Sequence, residues 1–172
     1  MGAFRTGSSA LTFAACLLAV PQGASAQSPE PEIGKGVVGL GAGAAHMTTV
    51  AADAHDGIQP WGRADIGWGL TDKTVARFRV EGYRADGLNL TFSLVAEWQA
   101  WKHFGFYAAA GLSYGRDTRV GSNTVLGAFA RFLPDRRLSP RIDAFGAAAI
   151  RNDFLSVGAG LTLGLDIRWG PS

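Results

Sequence analysis

Cysteine is almost missing from this chain of 172 residues, with Cys16 standing alone. One thiol supports neither a disulfide framework nor a thiolate metal centre. Long hydrophobic runs are missing too. No segment approaches the ~18 continuous apolar residues that a spanning helix requires, so if the chain enters a bilayer it does so as strands. Charge of one sign is also lacking, with 16 Lys and Arg against 14 Asp and Glu. That near balance argues against a nucleic-acid partner, which would ask for a clear basic surplus.

What the first residues do contain fixes a compartment. Met1 to Ser9 carries Arg5 and no acid, Ala10 to Val20 is almost purely apolar, and Pro21-Gln22-Gly23-Ala24-Ser25-Ala26 ends in an Ala-x-Ala site. This pattern is a secretory signal peptide, residues 1–26, cleaved after Ala26. Cys16 lies in Thr12-Phe13-Ala14-Ala15-Cys16, which invites a lipoprotein reading. Phe13 stands where such signals want Leu, and the apolar stretch continues through Leu17, Leu18 and Val20, so we set lipidation aside. The expected mature chain then has no thiol. Gln27 to Glu32, with Pro29 and Pro31, reads as a loose leader, and residues 33–172 as one domain. The glycines recur within strand-like segments instead of pooling in a linker.

The end of the chain is the most informative part. From Gly160 to Trp169 apolar residues alternate with small or polar ones: Leu161, Leu163, Leu165, Ile167 and Trp169 on one face, Thr162, Gly164, Asp166 and Arg168 on the other. One face suits lipid and the other a polar interior. The same two-residue period marks eight segments, near Gly34–His46, Gln59–Leu70, Thr74–Arg84, Leu88–Trp101, Phe104–Arg116, Asn123–Leu133, Arg141–Arg151 and Val157–Trp169. Each approximates the ~9–11 residues of a tilted membrane strand, and an open sheet edge cannot hydrogen-bond to lipid, so the expected fold is a closed, all-β, eight-stranded antiparallel transmembrane barrel in an up-and-down meander.

Two checks bear on this expectation. An exported chain leaves its N-terminus in the periplasm, which places Trp68, Trp98, Trp101, Phe104, Phe106, Phe132 and Trp169 at the periplasmic rim as an aromatic girdle, with Tyr83, Tyr114 and Trp61 marking the outer rim. Strand parity sends Arg63, Asp65, Arg77, Arg79, Glu81, Glu97, Gln99, Arg131, Asp143, Asp166 and Arg168 inward. Arginines and carboxylates in equal number suit bidentate pairing, and eight strands leave room only for side chains, so the expected network plugs the lumen.

With its signal peptide, eight alternating strands, periplasmic aromatics and Gly164-Leu165-Asp166-Ile167-Arg168-Trp169 ending, the chain resembles the small outer-membrane β-barrel proteins of Gram-negative bacteria, the OmpA/OmpX-like group. The resemblance covers the whole mature chain. It implies the cell outer membrane, with both termini periplasmic, and outer-membrane lipids and lipopolysaccharide as partners. It also implies that Leu165, Ile167 and Trp169 are read by the barrel-assembly machinery. Gly170-Pro171-Ser172 follow the aromatic residue that usually ends such chains. The implied role is structural or surface-interactive, with no cofactor; a narrow porin-like pore and a lipid A-modifying enzyme are the alternatives.

Three motifs suggest other chemistry. Val37-Val38-Gly39-Leu40-Gly41-Ala42-Gly43-Ala44 satisfies G-x-G-x-x-A, yet no helix is predicted after it and glycines at 39, 41 and 43 suit a crowded barrel interior. His46, Asp53, His55 and Asp56 fall within eleven residues of a predicted loop, Met47–Ile58, but no ligand spacing disciplines them. An acyltransferase or deacylase would need His46 or His55 near Ser113 or Ser122, and the H-x-S-N motif of the deacylases is absent. The assembly reading is testable: Trp169→Ala is expected to slow membrane insertion severalfold while barely moving the denaturation midpoint of the formed barrel. Unchanged insertion kinetics in a reconstituted assembly assay would refute it.

Overall fold

The protein, described here from a computed structural model, is defined over residues 33–50, 56–84, 88–115, 120–151 and 154–170. The expected signal peptide with Cys16 and the expected leader lie outside the described residues, as do Asp53, His55 and Pro171-Ser172. Eight strands are present: β1 (Gly36–Val50), β2 (Asp56–Gly69), β3 (Thr74–Arg84), β4 (Leu88–Gln99), β5 (Phe104–Tyr114), β6 (Val120–Arg131), β7 (Leu138–Arg151) and β8 (Phe154–Trp169). Every neighbour is antiparallel, and β1 pairs with β8 from Gly36↔Trp169 to Val50↔Leu155, which closes the barrel in sequence order. No sheet edge is left in the ring.

The barrel is inside out relative to a soluble protein. Leu94 is 73% exposed and Leu163 66%, whereas Arg79 and Asp166 are 0% exposed. Leu40, Phe78, Phe92, Leu126, Ile142 and Leu161 continue the outward apolar band, which is a surface that water would not tolerate and lipid would.

Several strand limits differ from the sequence expectation. β1 and β2 run on to Val50 and back to Asp56, pairing Met47 with Gly57 and Thr48 with Asp56, so much of the predicted 47–58 loop is a hairpin. Backbone pairing does not stop where the lipid-matching pattern stops. β7 starts at Leu138, three residues before Arg141, because Pro140 faces outward and still uses its carbonyl, which accepts from Phe132 N at 2.8 Å. A proline lacks only the donor.

Trp61 and Tyr83 are corrections to the outer girdle. Both are buried in the lumen and stack on each other with centroids 4.8 Å apart and planes 5° from parallel. Parity requires this, since Trp61 points the same way as Arg63 and Tyr83 the same way as Glu81. Phe145 tilts against Trp61 at 4.9 Å, and with Met47, Ala45 and Ala147 these rings form an apolar core. Tyr114 does face outward.

Large inward side chains lie across from glycines. A β-carbon at Gly127 would stand 2.5 Å from the Tyr107 ring, one at Gly105 2.4 Å from Phe129, and one at Gly160 2.7 Å from Phe145. Interior packing of this density leaves no room for a methyl group. Gly127→Val is therefore expected to destabilise the folded barrel by ~1–3 kcal/mol through overpacking. Gly146→Val, at an outward position whose β-carbon would meet only the Gly158 carbonyl at 3.8 Å, is expected to be near neutral. Denaturant midpoints in lipid vesicles read both, and equal shifts would refute the packing account.

Candidate functional site

The lumen gathers charge from six strands. Asp166 on β8 receives both ends of the Arg77 guanidinium from β3, Nη1 to Oδ1 at 3.2 Å and Nη2 to Oδ2 at 2.9 Å. Its Oδ2 also accepts from Arg131 Nε on β6 at 3.2 Å and from Arg141 Nη1 on β7 at 3.5 Å. Glu97 on β4 faces the same three arginines: Arg77 Nη2 at 2.8 Å, Arg131 Nη2 at 3.0 Å and Arg141 Nη1 at 2.6 Å. Two carboxylates thus hold three guanidinium groups between them, and all five side chains are at most 1% exposed.

A second cluster adjoins the first through Arg141. Asp143 accepts from Arg141 Nε at 2.9 Å and Nη2 at 2.6 Å, and it pairs with Arg63 through Nη1 at 3.1 Å and Nη2 at 2.8 Å. Asp65 accepts from Arg77 Nη1. Arg79 is held more loosely, 3.5 Å from Asp65, 3.8 Å from Glu81 and 3.7 Å from Glu97. Its guanidinium instead lies over the Tyr107 ring, 4.7 Å from the centroid. Phe129 takes Arg141 at 4.1 Å and Arg131 at 4.6 Å. Desolvated guanidinium groups are stabilised by ring faces in this way.

The structure therefore brings together Arg63, Asp65, Arg77, Arg79, Glu81, Glu97, Arg131, Asp143 and Asp166. Arg168 is also buried and inward, but at the barrel's end, where Nη1 donates to the Pro134 carbonyl at 3.2 Å. Gln99 joins the network by accepting from Arg131 Nη1 at 2.7 Å. Sequence reasoning missed Arg141, which bridges Glu97 and Asp143. The signal was available: Ile142 faces outward, so its neighbour must face inward, and only the adjacent Pro140 made Arg141 read as the edge of a turn. The rings of Tyr107 and Phe129 were missed as well.

Of the residues expected to form a girdle, Trp68, Trp98, Phe106, Phe132 and Trp169 face outward near one barrel end, and Leu165 and Ile167 lie on the outward face of β8. Trp98 stacks on Phe106 with centroids 6.3 Å apart. The Trp169 indole covers Gly36, where a β-carbon would fall 2.2 Å from the ring.

The other candidate chemistries find different surroundings. Gly39 faces Asp65 and Asp166, and Gly41 faces Arg63, so these glycines make room for the ionic network. His46 lies 3.5 Å from Asp56, which also accepts from Thr48 Oγ1 at 3.0 Å, on the exposed face of the β1–β2 hairpin. Among the described residues no group of three potential ligands could hold a metal ion. His46 points outward on β1 while Ser113 is buried on β5, and Ser122 on β6 is separated from β1 by β7 and β8. None of these pairs is a nucleophile and base within reach.

No protein-family model and no curated protein matches the chain. Among solved structures it is similar to Ail, the attachment invasion locus protein of Yersinia pestis, with a TM-score of 0.55 at 12% identity over 78% of this chain and 99% of that one. The same protein in complex with the heparin analogue sucrose octasulfate gives a TM-score of 0.51 at 10% identity, over 77% and 99%. This likeness shows the fold: a closed, eight-stranded antiparallel barrel.

Removing one carboxylate from a fully buried network strands several guanidinium groups. Asp166→Ala is expected to destabilise the barrel by ~3–5 kcal/mol. Lys102→Ala, which removes a partly exposed ion pair with Asp135 at the barrel end, should cost clearly less. Comparable urea midpoints for the two variants would refute the central place of Asp166.

Proposed function

We propose that this protein is an integral outer-membrane β-barrel whose ion-paired lumen is closed to solutes, and whose role is structural or surface-interactive. The observation that carries the reading is the cross-bracing of Arg77, Arg131 and Arg141 by Glu97 and Asp166, with each of these side chains at most 1% exposed. A conducting pore needs charges that stay hydrated. Here each guanidinium spans the lumen to carboxylates on other strands, and the aromatic core of Trp61, Tyr83 and Phe145 packs the interior further along.

On this reading both termini lie in the periplasm, the girdle meets the inner leaflet, and lipopolysaccharide contacts the opposite rim. The β8 face ending in Trp169 presents the outward pattern that barrel-assembly machinery would engage. The likeness to Ail supports the architecture, while the role rests on the side chains of this chain.

Conductance of the refolded chain in a planar bilayer tests the closed lumen, once a heat-dependent gel shift has shown the barrel to be folded. The expected result is a silent membrane. Discrete, reproducible steps would overturn the proposal and make Arg77, Arg79 and Glu81 the first residues to vary for selectivity.

A further inference from the structure

The barrel end that carries the β2–β3, β4–β5 and β6–β7 turns has a repeated pattern: each turn sets an exposed apolar side chain beside a cation. Leu70 precedes Lys73, Trp101 precedes Lys102, and Phe132 and Leu133 precede Arg136 and Arg137. Lys35 repeats the pattern next to Gly36, which Trp169 covers. Besides the inward Arg168, this rim carries five basic residues from Ile33 onward, Lys35, Lys73, Lys102, Arg136 and Arg137, against two carboxylates, Asp72 and Asp135.

The turns hold these cations in place through their backbone. Thr71 Oγ1 accepts from Lys73 N at 3.3 Å and Thr74 N at 3.0 Å, and the Lys73 carbonyl accepts from Gln99 N at 2.8 Å. Arg136 N donates to Leu133 O at 3.0 Å, and Arg137 O accepts from Arg168 N at 2.8 Å. Asp135 is taken up by Lys102 Nζ at 2.7 Å. Lys73, Arg136 and Arg137 are exposed and form no ion pair among the described residues. Positive charge carried on ordered turn backbone therefore stands immediately beyond an aromatic band.

We infer that this rim is a binding surface for anionic glycerophospholipid headgroups of the phosphatidylglycerol class, which it concentrates around the barrel. The inference rests on the membrane-barrel reading above. The apolar members of each turn sit at the acyl boundary while the cations reach the phosphate layer. Arginine and lysine on such a rim gain from a negative surface within a Debye length. Zwitterionic headgroups offer no net charge to the same residues, so the rim selects by charge.

The protein's tryptophans supply the readout. Four of the five, Trp68, Trp98, Trp101 and Trp169, are exposed at this end, and only Trp61 is buried in the lumen. The chain is refolded into vesicles of phosphatidylcholine containing a minority of phosphatidylglycerol, with bromine placed on the acyl chains of one lipid or the other. Fluorescence quenching then reports local composition. The expected result is roughly twofold stronger quenching per brominated phosphatidylglycerol than per brominated phosphatidylcholine, lost at ~1 M salt, where the Debye length falls to about 3 Å. The triple variant Lys73→Gln, Arg136→Gln, Arg137→Gln should lose the preference while remaining folded by gel shift. Equal quenching by the two lipids in the unmodified chain, or a preference that survives in the triple variant, overturns the inference. Absence of quenching by either lipid would instead overturn the membrane-barrel reading on which it rests.

Discussion

A guanidinium group taken out of water must be met by acceptors from several directions, and in this barrel that requirement ties the strands together. Asp166 and Glu97 are contacted by arginines of β3, β6 and β7, and Asp143 is shared by β2 and β7. Backbone pairing links each strand to its two neighbours only. The ionic network links strands on opposite walls, so it fixes how the ring is filled as well as how it closes. Even the strands without charges answer to it: β1 supplies Gly39 and Gly41 where Asp65 and Arg63 need space, and β5 supplies the Tyr107 ring beneath Arg79.

Charge in the lumen and an apolar outer face are two consequences of one constraint. On the membrane-barrel reading the outward face meets lipid, so the charged side chains of the strand centres alternate inward, whereas His46, Asp56 and Arg84 near strand ends face outward. Once inside, an unpaired arginine is costly, and Arg63, Arg77, Arg79, Arg131 and Arg141 all stand within 4 Å of carboxylates, with the Arg79 guanidinium held by charge and ring contact and not by hydrogen bonds. Breaking the set at one member leaves several others uncompensated. The aromatic core adds packing where the charges end, with the Trp61 and Tyr83 planes nearly parallel and Phe145 set against them.

Much of this architecture was legible in the sequence because period-two alternation is a strong signal when one face must be apolar and the other polar. β3 is found at Thr74–Arg84, the limits that alternation predicts. Limits elsewhere were less legible. The β1–β2 hairpin continues past the lipid-matching residues, and alternation weakens there even though backbone pairing does not. Pro140 hid the start of β7 and with it Arg141. Trp61 and Tyr83 were misplaced because aromatic identity was allowed to outweigh parity, which in a strand of fixed register leaves no choice of face. Which arginine meets which carboxylate lay beyond the sequence, since those contacts join residues as far as 89 positions apart.

The network also reaches the turns at one barrel end. Gln99 accepts from Arg131 within the lumen and donates through Nε2 to the Lys102 carbonyl at 2.8 Å, passing from the ionic cluster into the β4–β5 turn. The same arginine's backbone N donates to His103 O at 2.7 Å, and its carbonyl meets His103 Nδ1 at 3.0 Å, which binds that turn to β6. Lys102 then pairs with Asp135 in the β6–β7 turn. A chain of contacts therefore runs from the buried carboxylates through Gln99 and Lys102 to Asp135 at the rim, and it joins the β4–β5 and β6–β7 turns to the charges held deep in the barrel.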